Sequence, residues 1–217
     1  MNQAIQEESD WFFKVSWNLA LQAVEIGHYE LAFKYYNYCS KLLDNQQQNI
    51  NYKSQKPMTS FLCIVAVVSS LRSDDTFKER CSIDEIITIM SEFKEFPKEE
   101  SLKQIEILYA VYEFEILFRF DRVDELQKII KRDNFLKYPA NFTEKILQVL
   151  STCNPNSKSY EVFDLILLEY FKRQDKDYSV CANALKLLFE GNLLKGPFSS
   201  YQCIKKFQHL LVFLLFL

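Results

Sequence analysis

Apolar residues recur at helical spacing along most of the chain, and polar runs interrupt them at a few places. The clearest pattern lies at 13–43. Lys14 to Glu25 places Val15, Leu19, Ala23 and Val24 on one helical spiral, Ile26-Gly27-His28-Tyr29 breaks the run, and a second helix begins near Glu30. Gly27 stands where a helix C-cap needs a left-handed residue. Acidic Glu7-Glu8-Ser9-Asp10 precedes Trp11-Phe12-Phe13, which suits a helix N-terminus, with the aromatic cluster sealing the first hairpin. A polar stretch at 44–57 without periodicity predicts a solvated linker. Thr59 to Leu71 is almost continuously apolar and predicts a helix buried on most sides, too short to span a bilayer. Ser82-Ile83-Asp84-Glu85 offers a capping box before Ile86, Ile87, Met90 and Phe93. Further helices are expected from Ser101 through Leu117, around Val123 to Ile130 after Asp121, and from Asn141 to Leu150 after Pro139. Tyr160–Phe171 and Tyr178–Phe189 predict another hairpin, with Gly191 as its stop.

The first hairpin matches the spacing of a tetratricopeptide repeat, a helix-turn-helix unit of about 34 residues. Asn18, Leu19, Ala20, Gly27, Tyr29, Ala32, Tyr36 and Cys39 carry the match. Small Ala20 and Ala32 suit the helix crossing, and large Leu19 and Tyr36 suit stacking on neighbours. Later hairpins over 58–217 are degenerate copies. Their second-helix midpoints at Ala32, Ile87, Leu126 and Cys181 are separated by 55, 39 and 55 residues, an irregularity that a solenoid tolerates because each unit touches only its neighbours. The expected architecture is an all-α, tetratricopeptide-like helical-hairpin solenoid of irregular repeats, running as a single segment over residues 1–217. From Leu210 to Leu217 every residue is apolar, whereas a closing repeat needs a polar outer face, so the reading expects a fragment or an aberrant end.

Composition supports helices: three Gly and five Pro in 217 residues supply few turns. A net charge of −3 disfavours general binding of nucleic acid. Six cysteines show no paired metal spacing and read as reduced core thiols, and the polar, acidic N-terminus lacks the apolar region of a secretory signal, so the compartment reads as nucleocytoplasmic.

The segment EESDWFFKVSWNLALQ, above all Trp17-Asn18-Leu19-Ala20, resembles the meiotic tetratricopeptide-repeat family that includes the yeast Zip-four protein and mammalian testis-expressed protein eleven. Ala182-Asn183-Ala184-Leu185, running through Glu190-Gly191-Asn192, is similar to the layout of the family's later repeats. The likeness spans Glu8 to about Leu211. It implies a non-catalytic protein–protein interaction scaffold that promotes crossover formation and chromosome synapsis, nuclear and chromosome-associated, with other recombination or synapsis proteins as partners. The alternative is a generic repeat adaptor outside meiosis, in the cytoplasm. One such adaptor, the clamp for a C-terminal carboxylate, is disfavoured because Trp17 and Leu21 stand where it needs Lys and Asn.

The residues suggest no enzyme, cofactor, metal or small-molecule substrate. His28 and His209 are the only histidines, and no glycine-rich phosphate loop is present. Asp74-Asp75 and Glu99-Glu100 read as solvated loop or first-turn acids. Tyr35, Tyr36 and Tyr38 are the candidate protein-binding surface, weighed against packing between repeats.

Overall fold

A computed structural model describes residues 3–44, 52–95, 100–131 and 140–151 continuously, together with positions 138, 153, 162, 165, 166, 169, 170 and 179. These residues are all-α. Eight helices run in the order α1 (Gln3–Glu25), α2 (Tyr29–Asp44), α3 (Tyr52–Ser73), α4 (Phe77–Arg80), α5 (Ile83–Glu95), α6 (Glu100–Arg119), α7 (Val123–Lys131) and α8 (Ala140–Ser151). The chain divides into two compact units, Met1–Asp121 and Arg122–Leu217.

In the first unit α1 and α2 form the expected hairpin. Gly27 adopts φ 76°, His28 donates its amide to the Ala23 carbonyl at 2.8 Å, and Gly27 donates to Val24 at 3.0 Å. That pair of bonds is a Schellman closure, which satisfies carbonyls the helix end would otherwise leave open. Ala20 and Ala32 are both fully buried, as two backbones in close approach require.

α1 begins at Gln3, ahead of the N-terminus expected between Asp10 and Trp11, because no Gly or Pro interrupts the run. Glu7 to Asp10 therefore lie inside the helix rather than at its N-terminus, and no acid occupies its first turn. The aromatic seal is also shifted. Phe13 stacks on Trp17 at 5.7 Å and Trp17 meets Tyr36 edge-on at 5.5 Å, while Trp11 and Phe12 are 59% and 39% exposed. Leu19, expected to stack on a neighbour, is also exposed, because α2 covers only the side of α1 that carries Ser16, Ala20 and Ala23.

α3 packs against α2, α4, α5 and α6. Its residues Phe61, Cys63, Ile64, Ala66, Val67, Val68 and Leu71 are buried, each apolar side chain contributing roughly 1.5–3 kcal/mol where it is large. The helix starts at Tyr52, so residues 52–57 of the expected linker are helical. Lys56 explains the difference. Its ammonium is 2% exposed and lies 2.7 Å from Asp44 and 3.1 Å from Glu92, and it donates to the Ser40 hydroxyl at 2.8 Å and carbonyl at 3.2 Å. A polar residue in a polar run thus serves as an interior pin between α2, α3 and α5.

Ser82 caps α5 by accepting the Glu85 amide at 3.4 Å. The reciprocal half of the box is not formed, because the Glu85 carboxylate accepts from Asn37 at 2.8 Å and Lys41 at 3.1 Å on α2. α6 is anchored by Tyr109, whose ring stacks on Phe93 at 4.4 Å and whose hydroxyl donates to the Met90 carbonyl at 3.0 Å. Fully buried Glu115 accepts a bidentate bond from Arg72 on α3 at 3.0 and 2.6 Å and another from Arg119 at 3.1 Å. α6 ends at Arg119, and Asp121, two residues beyond it, lies in the left-handed region at φ 55°.

In the second unit α7 buries Val123, Leu126 and Ile130. α8 buries Phe142, Ile146, Leu147 and Leu150, and Phe142 stacks on Tyr138 at 4.2 Å. Helical Val162, Ile166 and Tyr170 are fully buried at four-residue spacing. The rest of the expected 160–189 hairpin and the final stretch 199–217, with its apolar run 210–217, lie outside the described residues.

Candidate protein-binding surface

The three tyrosines of α2 do not share one face. Successive helical residues are rotated by about 100°, so Tyr36 turns inward, 2% exposed against Trp17, while Tyr38 is 47% exposed and Tyr35 is half-buried. Tyr36 is a core residue of the hairpin. Tyr35 and Tyr38, three apart, are left to present an aromatic surface.

A cleft of about 410 Å³ lies beside the first turn, lined among others by His28, Tyr29, Lys34, Asp74, Phe77 and Arg80. Its charges are mutually engaged. Arg80 donates to Asp74 at 2.8 Å, to Glu30 at 3.1 Å and to the Thr76 hydroxyl at 2.7 Å; Lys34 pairs with Glu30 at 2.9 Å. Asp74 further accepts the Thr76 amide at 2.9 Å and hydroxyl at 2.7 Å, which nucleates the turn into α4. Arg80 first, then the Thr76 hydroxyl and amide, hold the Asp74 carboxyl down at about 2. Lys34 and Arg80 likewise lower Glu30. Chemically the cleft is an ion-pair lattice that ties the first turn to the α3–α4 loop.

The thiols near the hairpin core are held neutral. Burial pushes Cys39 up to about 12 and Cys63 higher still, and the Cys39 thiol faces the Phe13 carbonyl at 3.7 Å. Half-buried Cys81 is raised to about 11 by the same cause. Cys39 and Cys63 pack as small apolar groups, consistent with their expected role in the core, whereas Cys81 stands at its edge.

An uncovered apolar stripe runs along α1 to Ile26, the residue that follows it. Phe12, Leu19 and Ile26 recur every seven residues and are 39%, 37% and 68% exposed. Half-buried Val15 lies between the first two, and Trp11 packs edge-on against Phe12 at 5.0 Å. The heptad spacing gives the seam of a helix that could receive another helix. In the sequence it is hidden, because Val15, Leu19, Ala23 and Val24 read as one apolar helical spiral, and nothing local separates the part that α2 covers from the part it leaves bare.

The described residues define an all-α helical-hairpin protein with a partly uncovered first helix. No protein-family model, curated protein or solved structure matches the chain. Among the described residues no helix is long and apolar enough to cross a membrane.

Proposed function

We propose that the chain is a non-catalytic protein–protein interaction scaffold in meiotic recombination, promoting crossover formation and chromosome synapsis. The first hairpin carries the reading: Trp17-Asn18-Leu19-Ala20, the residues of the family resemblance, sit in α1 of a two-helix unit closed at Gly27. Exposed Leu19 and Tyr38 supply apolar and aromatic surface of the kind a scaffold offers to partners. The partners would be other recombination or synapsis proteins, and the site of action the nucleus, on chromosomes. Localisation of the tagged full chain in meiotic cells, scored together with crossover number after gene deletion, tests this. Foci on paired chromosomes and a loss of crossovers are the expected outcome. A diffuse cytoplasmic signal with normal crossovers would overturn it in favour of a repeat adaptor outside meiosis.

A further inference from the structure

We infer that the uncovered seam of α1 is the docking face for a basic amphipathic helix of a partner protein. The inference needs only the geometry of the first unit and does not depend on the meiotic reading. Phe12, Val15, Leu19 and Ile26 are separated by steps of three, four and seven residues, the spacing that lets one helix receive the knobs of another. From Phe12 to Ile26 the seam runs about 21 Å at 1.5 Å per residue, long enough for a partner helix of roughly four turns.

Charge selects the occupant. α1 carries Glu7, Glu8, Asp10 and Glu25 against Lys14 alone. Glu8 lies one heptad step of four residues before Phe12 on the seam itself, and Glu25 borders it beside Ile26. A second copy docked through this face would set acid against acid, which is destabilising at helix-pair distances. Lys or Arg flanking an apolar stripe would instead pair with these carboxylates at the rim while Leu, Ile or Phe fill the seam.

Two synthetic helical peptides with identical leucine seams, one flanked by Lys and the other by Glu, test this against the full chain. Trp11, 59% exposed at the seam, reports docking through its emission. The Lys peptide should saturate with a blue shift and bind at least about tenfold tighter than the Glu peptide, a difference that narrows in high salt. Leu19→Ser with Ile26→Ser should weaken the Lys peptide by about tenfold or more while leaving the unfolding midpoint nearly unchanged, since both side chains are exposed. Equal binding of the two peptides, or undiminished binding by the double variant, would overturn the inference. So would a concentration-dependent dimer of the peptide-free chain that the double variant abolishes, which would assign the face to a second copy. A failed titration alongside chromosomal foci would overturn this inference alone, and the converse result only the meiotic reading.

Discussion

Glu115→Gln probes how the interior of the first unit is held together. Glu115 is fully buried and accepts from Arg72 and Arg119, so its carboxylate is the only charge in the network with no exposure of its own. Removing one partner from a buried ion pair costs about 3–5 kcal/mol, because the remaining charge stays desolvated. Here the cost is reduced on one side. Arg72 is 46% exposed and can rehydrate, and its guanidinium also lies 5.7 Å from the Tyr112 ring centre. Arg119 is 10% exposed and keeps only Asp75 at 3.6 Å and the Leu71 carbonyl at 3.4 Å. Gln retains the shape but turns an amide NH2 toward a guanidinium, so about 3 kcal/mol is expected. Arg72→Met should cost less, about 1 kcal/mol, because Arg119 still neutralises Glu115. Both tryptophans lie in α1, so urea unfolding followed by tryptophan emission reads the first unit. With a slope of about 1–3 kcal/mol per molar urea, the Glu115→Gln midpoint should fall by roughly 1–3 M. A shift below about 0.5 kcal/mol, or an Arg72→Met loss equal to that of Glu115→Gln, would mean that the Glu115 charge does not hold Arg119 in the interior.

Three further outcomes follow from the first hairpin and its cleft. Ala32→Trp should lose about 1–3 kcal/mol or more by overpacking the crossing, whereas Lys34→Ala, which removes an exposed pair with Glu30, should change stability by less than about 0.5 kcal/mol; equal thermal shifts would place the register wrongly. Gly27→Ala meets no atom within 4 Å, so its cost is the left-handed backbone alone, about 1 kcal/mol, and a gain in urea midpoint would contradict the Schellman closure. Asp74 should titrate by carboxyl NMR at about 2 and move up toward the ordinary aspartate value in Arg80→Gln. Because the folded value is depressed, the contribution is present above the ordinary carboxylate range and is lost as pH falls toward 2; an unmoved midpoint in Arg80→Gln would remove Arg80 as the main cause.

The features legible from residue order alone were local. The glycine at 27 fixed the turn, since the backbone there needs a positive φ that glycine adopts without strain. The apolar run from Phe61 to Leu71 required a helix covered on most sides, and the alanines at 20 and 32 marked a close crossing. Hydrophobic periodicity also placed α5, α6, α7 and α8 within a few residues of their ends. Tertiary structure decided whatever depended on a distant partner. Lys56 reads as linker because its neighbours are polar, and it is buried only because Ser40, Asp44 and Glu92 converge on it from two other helices. Glu85 looks like half of a local capping box, yet its carboxylate is claimed by Asn37 and Lys41, more than forty positions away. Tyr36 and Tyr38 are two residues apart in one apolar pattern, and only the position of α1 makes the first interior and leaves the second to solvent. Leu19 and Ala20 show the same division on α1. Propensity makes both helical, but which side of the helix is covered depends on where α2 lies, and the side it leaves bare is the seam proposed for a partner.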